Sequence, residues 1–474
     1  MIDFLEFEYN YENSLIAQRF IRHVKNFSLS VNEKMPKTKR KKSWRENQRA
    51  RQSKQQNTKK TQQIKQEKAN KTKSRQLPKG KILLAIALIV LAFGAYAVFQ
   101  YTTMPTTPKA FTIVRIRADG SVDPSNASIS ILENNHYAFT GDIYGSFVIE
   151  RDDITVDGAN YALQGQSNIS SVGIDLSGRS NVTIKNTRLK DFGLGFYLYS
   201  ASNNVLSRNN VADSNIGVEL DFSSGNIMDE NGITDCGGAI GLYESSGNSL
   251  ERNTLTRNQY GVSLANSSYN SISENTITNS QRAVRLSQSF NNSVSANFLY
   301  HNDECIFIDN SSGNIVSDNS ITNNNEAIGL SKSSDNKVTQ NNLANNQYGI
   351  GLEDSLNTEI SGNAITNSSV AILLYQSSSN ALSGNYLANS ENGLSIEDSS
   401  INMVIHNSFE SNTHQVLSSG SESIWDAGYP NGGNYWSDYQ YLYPNAKEVG
   451  DSGIWDTPYY IDENNQDNYP RVRG

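Results

Sequence analysis

A right-handed parallel β-helix, an all-β solenoid of 22-residue coils set after a single N-terminal transmembrane helix, is the fold class this sequence predicts. Three observations carry it. An asparagine recurs every 22 residues from Asn209 to Asn407, through Asn231, Asn253, Asn275, Asn297, Asn319, Asn341, Asn363 and Asn385. Apolar residues keep the same step in pairs spaced by two, such as Val218 with Leu220, Ile240 with Leu242 and Val262 with Leu264. That is the period of a strand with one buried face. Asn, Ser, Thr and Gly dominate between them, a composition that suits tight turns and disfavours the helix pairs of an α-solenoid.

Each part of the coil has its own column. A second asparagine column, five residues ahead of the first, runs from Asn204 to Asn402 and is broken only by Thr358, while a serine column runs from Ser223 to Ser399. Single apolar columns (Leu206, Met228, Leu250, Ile272, Val294; Val211, Ile233, Leu255, Ile277, Leu299) add two further patches. A unit with three short patches cannot bury them alone, but stacked coils join them into one core. Coils should step by about 4.8 Å, so the ten regular ones extend about 48 Å. Asparagine fits the turns because it tolerates left-handed backbone and its amides stack into ladders. A column of small residues, from Gly217 through Ala239, Gly261 and Ala283 to Gly393, contains Cys305, which reads as a small buried hydrophobe. Cys236 lies three coils earlier, about 14 Å away, so both cysteines are expected as free thiols.

The rest of the chain divides by charge. Residues 1–34 contain an amphipathic stretch, "SLIAQRFIRHVKNF", and Met35 opens "MPKTKRKK" as an alternative start, which the intact mass of the native protein would test. Residues 35–81 carry 18 Lys+Arg against Glu46 and Glu67, a net +16, and read as a disordered cytoplasmic tail. Residues 82–99, "ILLAIALIVLAFGAYAVF", are an uncharged apolar run that would span about 27 Å as a helix, the expected membrane anchor. A Thr/Pro spacer, 100–110, leads to irregular coils (111–202), ten regular coils (203–420) and an aromatic, acidic cap (421–474). The Lys/Arg bias puts the N-terminus in the cytoplasm and the β-helix outside the cell or in the periplasm. Expected partners are the bilayer through 82–99 and anionic lipid headgroups through the basic tail. No nucleic-acid partner is expected, because the tail has little aromatic interleaving beyond Trp44. No motif for a cofactor occurs.

Residues from about 112 onward resemble the NosD-like right-handed parallel β-helix proteins, the carbohydrate-binding and sugar-hydrolase type found on archaeal and bacterial surfaces. The resemblance rests on "IRADGSVDPSNASI" and "GDIYGSFVIERDDITVDGANYALQG", on the repeats, and on "WDAGYPNGGNYWSDY" with "DTPYYIDENNQDNYP" near the end. It implies an exported, often membrane-tethered protein, with members that assemble copper sites and others that act on glycans. The sequence departs from related tails at "YPNAKEVGDSGIWDTPY", where Glu448, Asp451 and Asp456 replace a denser acidic loop suited to calcium. Trp425, Tyr429, Tyr435 and Trp436 are expected to cover the open end of the last coil, as solenoid ends require.

The candidate chemistry lies where the pattern stops dictating the residue. Tyr260, Arg282, Glu304, Glu326 and Tyr348 fall one coil apart, just ahead of the last strand of the coil. An outward column of aromatics and carboxylates is what glycan binding needs, and Glu304 with Glu326 would stand about as close as the carboxyl pair of a retaining glycosidase. An Arg282–Glu304 surface ion pair accounts for the same residues without chemistry. A second acidic edge gathers Asp309, Glu353, Asp354, Glu397 and Asp398 beside Tyr375. Residues 82–474 hold 18 basic and 41 acidic residues, 18 minus 41 or −23, which disfavours polyuronates and nucleic acid and leaves neutral glycans. The reading is therefore of a carbohydrate-binding protein, with glycoside hydrolase or lyase activity secondary to binding. A structural or adhesive rod without catalysis is the alternative. Copper handling would need donors from His136, His301, His406, His414, Met104, Met228, Met403 and the cysteines, of which Met403, His406 and His414 share the final coil.

Overall fold

The computed structural model describes residues 110–133 and 135–473. The amphipathic segment, the basic tail and the apolar run 82–99 lie outside the described residues, as does Met104. Among the described residues, no helix is long and apolar enough to cross a membrane.

One coil shows the plan of the rest. Ser249–Glu251, Thr254–Thr256 and Tyr260–Ala265 are its first, second and third strands. Each pairs in parallel with its counterpart 22 residues on, as in Leu250 with Ile272, Leu255 with Ile277 and Val262 with Val284. The first strands form a 14-stranded sheet; only Ile129–Glu133 runs antiparallel in it, so 14 minus 1 gives 13 stacked coils. Second and third strands join one 26-stranded sheet, because the single strand Arg188–Tyr199 runs through both positions. The 22-residue step is already in force where Thr183 pairs with Val205, a coil earlier than the asparagine column reveals, whereas Thr155 to Thr183 takes 28.

Inside, Leu250, Leu255, Val262 and Leu264 are completely covered, as are their equivalents in neighbouring coils. At roughly 1.5–3 kcal/mol for each fully buried aliphatic side chain, this continuous core is the main stabilising term. The third strand breaks the alternation of faces once. Gly261 and Val262 are both buried, and a Cβ on Gly261 would lie 2.4 Å from the Ala283 carbonyl. Only small residues fit that column, and Tyr260 is left on the outer side.

The asparagines hold the turns. Asn253 donates its side-chain amide to Met228 O (2.9 Å) and Asn275 Oδ1 (3.0 Å), and its backbone N–H to Asn275 Oδ1 (2.9 Å). Its own Oδ1 accepts from both nitrogens of Asn231 at 3.0 Å. Donor and acceptor are both used in a buried site, so neither Asp nor Leu could replace it without leaving a group unpaired. Backbone strain, in contrast, falls on another residue than the sequence suggests. The left-handed conformation belongs to the residue before each rung, such as Arg252 (φ 50), Tyr269 (φ 59) and Glu274 (φ 56), and not to the asparagine, whose amide must stay aligned with the next coil. At the break in the second column, Thr358 donates its N–H to Asn380 Oδ1 (2.8 Å) and turns its hydroxyl to Leu356 O (3.4 Å).

A further ladder, between the second and third strands, escaped the sequence because its residues vary. Asn302 and Asn324 donate their N–H groups to the next Oδ1, while Ser368 uses Ser390 Oγ. Cys236 occupies a rung of this ladder, its N–H donating to Asn258 Oδ1 (2.9 Å) and its thiol to Thr234 O (3.4 Å). Cys305 fills the small column at 1% exposure, and both thiols are free. Burial pushes the Cys236 thiol up to about 11 and raises Cys305 as well, so neither is a nucleophile at neutral pH.

The far end is closed by aromatic rings. Phe409 of the last coil stacks on Trp436 (4.4 Å), which stacks on Tyr459 (4.2 Å), and Trp425 and Trp436 are 2% and 1% exposed. Tyr429 does not take part in the cover; it is 56% exposed and lies tilted against Tyr469, ring centroids 6.4 Å apart. Tyr435 opens a two-residue strand beside Ser408–Phe409 and is half-buried.

Candidate functional site

The register brings all five residues of the candidate column together. Tyr260 pairs with Arg282, Arg282 with Glu304, Glu304 with Glu326 and Glu326 with Tyr348, each on the outer side of the third strand. Arg282 is the centre of the arrangement. Its Cζ lies 5.7 Å from the centroid of the Tyr260 ring, and its Nε donates to Glu304 Oε2 at 2.9 Å. The two charged side chains are 15% and 20% exposed, which screens them less than a surface pair. The guanidinium plane, held between a ring and a carboxylate, has little rotamer freedom left to lose on binding.

Glu326 is positioned by a glycine the sequence reading did not single out. A Cβ at Gly329 would meet Glu326 Oε1 at 2.4 Å and Phe307 Cδ2 at 2.9 Å, so the glutamate carboxyl occupies the space that the missing side chain leaves. Burial, reinforced by the neighbouring Glu304 carboxylate, pushes its pKa up to about 8. The shift favours the protonated form of Glu326, a donor, one coil from a glutamate already committed to Arg282. Two carboxyl groups in different environments can divide the work of donor and acceptor toward a sugar hydroxyl, and of acid and nucleophile toward a glycosidic bond. Tyr348 is less available than the column suggested. It is 5% exposed, and burial followed by the nearby Glu326 raises its phenol, so it is not a stacking surface.

The second acidic edge forms as a column too. Glu353 pairs with Tyr375 and Tyr375 with Glu397, at the other end of the third strand. Asp309 is buried, and that burial raises its carboxyl. Asp354 and Asp398 occupy left-handed turn positions beyond it.

Metal donors do not converge. Met403 lies in the first strand of the last coil, His406 in the following turn, where its ring meets Asn431 O (3.0 Å), and His414 opens the third strand, its ring on Asn392 Oδ1 (3.0 Å). Sharing a coil does not bring them together, because a coil distributes its residues over three faces. Met228 is a core residue, and His136 and His301 are exposed elsewhere. In the tail, Glu448 accepts from Gly453 N (2.8 Å) and Asp456 from Lys447 N (3.0 Å), so these carboxylates brace a turn. Among the described residues, no three His, Cys, Asp or Glu side chains group to hold a metal ion, and the donors present do not fit copper, which needs soft or imidazole ligands at one point.

Fold and site together define a parallel β-helix protein whose repeated columns are scaffold and whose candidate site is one column that departs from the repeat. The chain belongs to the family described as periplasmic copper-binding protein (NosD), which matches residues 115–289 and 266–441. No curated protein matches it. Solved structures with a similar fold include the periplasmic alginate epimerase AlgG, with a TM-score of 0.42 and 17% identity, over 63% of this chain and 79% of that one. The A-module of the mannuronan C-5 epimerase AlgE4 from Azotobacter vinelandii has a TM-score of 0.40 and 14% identity, over 66% and 89%. The Dettilon tailspike protein has a TM-score of 0.39 and 14% identity, over 53% and 62%.

Proposed function

We propose that this protein is a membrane-anchored β-helix, outside the cell or in the periplasm, that binds neutral carbohydrate on the outer face of its third strands. The observation that carries the reading is the Arg282 guanidinium fixed between the Tyr260 ring and Glu304, one coil from Glu326 in the space that Gly329 leaves. This gives an apolar ring, a directed cation, an acceptor and a donor in sequence along the coil axis. The net charge of −23 over residues 82–474 favours an uncharged ligand over a uronate polymer. Cleavage is secondary to binding in this reading, since Glu304 is held by Arg282.

The test is a glycan array followed by calorimetry on the full chain. Tyr260→Ala and Arg282→Met should each weaken binding of a neutral oligosaccharide at least about tenfold, roughly 1.4 kcal/mol, without loss of folding. A wild-type protein that binds no glycan would leave a structural rod. Stoichiometric copper in the purified protein would support the role in the family's description instead.

A further inference from the structure

In the turn ahead of the serine column the repeat breaks its own surface rule once. The residue before each rung of this column is in left-handed backbone, and from Ser200, ahead of Ala201, to Asp398, ahead of Ser399, that position is polar in every coil except one. The exception is Phe222, at φ 53 and 48% exposed. A bulky aromatic is poorly suited to this conformation and gains nothing from water. Phe222 sits between two tyrosines: Tyr199, 45% exposed, at 5.7 Å and 73°, and Tyr243 at 5.9 Å and 88°. Asp221 is strand partner to both tyrosines, and Tyr197 donates its hydroxyl to Asp221 Oδ2 at 3.0 Å.

We infer that Tyr199, Phe222 and Tyr243 form an aromatic subsite for a pyranose ring of a neutral glycan, in which one ring face takes the sugar and the perpendicular neighbouring rings flank it, with Asp221 accepting hydrogen bonds from its hydroxyls. A pyranose has the two surfaces this site needs, a C–H face for the rings and a rim of hydroxyls for the carboxylate. The adjoining Asp221 and Glu219 carboxylates repel phosphate and uronate. Three rings on a turn offer far less area than the roughly 800 Å² per partner of a stable protein interface. The inference rests on the carbohydrate-binding reading but sets a separate site at the opposite end of the third strand. Tyr243 pairs with Ala265, the last residue of the strand that Tyr260 begins.

Phe222→Asn separates the site from the scaffold, because asparagine already occupies the equivalent left-handed positions at Asn266 and Asn310. The variant should melt higher than wild type yet bind neutral hexasaccharides of glucan, mannan or galactan at least about tenfold more weakly. Unchanged affinity for every one of these probes would overturn the inference. Loss on Tyr260→Ala alone would overturn it while leaving the proposed function intact, and loss on Phe222→Asn alone would uphold it and remove the Arg282 column from the binding site. A wild type that binds none of them would overturn both.

Discussion

At the scale of the residue, rungs of the asparagine columns differ in how much they hold. Asn253 is a structural joint with every polar atom engaged, whereas Thr358, in the second column, holds its rung with fewer hydrogen bonds. Restoring the amide with Thr358→Asn should raise stability by about 1 kcal/mol, the net value of one buried hydrogen bond, as read by denaturant unfolding. No gain would mean that the amide column is not what ties the coils. Glu326 makes the opposite kind of prediction. Its folded pKa is raised from 4.5 to about 8, so its contribution to stability is full below about pH 4.5 and is lost progressively as pH rises from there to about 8. The melting temperature should therefore fall between about pH 5 and pH 8 and level off above, and Glu326→Gln, which mimics the protonated acid, should flatten that part of the profile.

At the scale of the element, the ends explain what the middle hides. The first asparagine column continues past Asn407 to Asn434, which accepts from both Asn407 nitrogens (3.0 and 3.1 Å), but the step to it is 27 residues and the sequence period misses it. No further coil can supply an acceptor for Asn434 N, and Asp467 does so instead, taking that N–H at 2.7 Å and the Trp436 indole N–H at 3.0 Å. Burial pushes Asp467 up to about 7 against these donors. Asp467→Ala should cost about 3 kcal/mol, because it strands two buried donors. Hydrogen exchange should then rise first over residues 403–436 and leave the coil around Asn253 protected, since each coil rests only on its neighbours. Uniform deprotection would show that the cap is not a local closure.

At the scale of the whole molecule, the legible part of the sequence is the part that repeats. Strand positions, the free cysteines and the alignment of Tyr260, Arg282, Glu304, Glu326 and Tyr348 all follow from one period, because parallel register fixes every column once one is known. What the period could not give are features set by side-chain volume or by irregular chain. The Gly329 cradle and the burial of Tyr348 depend on how neighbours fill space. The closing role of Asp467 depends on a tail outside the repeat. The separation of Met403, His406 and His414 follows from the three-faced coil and is invisible to spacing alone. A β-helix of this kind puts its regularity inside and leaves its outer columns free to vary, so function is sought where a column changes character.

The most direct measurement is the affinity of the full chain for a neutral oligosaccharide from the array, taken by calorimetry at pH 7 and pH 9 in wild type and Glu326→Gln. Protonated Glu326 as a donor predicts tight binding at pH 7, a loss of several-fold or more in wild type at pH 9, and no such loss in Glu326→Gln. Binding that is equal at the two pH values in wild type, or absent at both, would contradict the account.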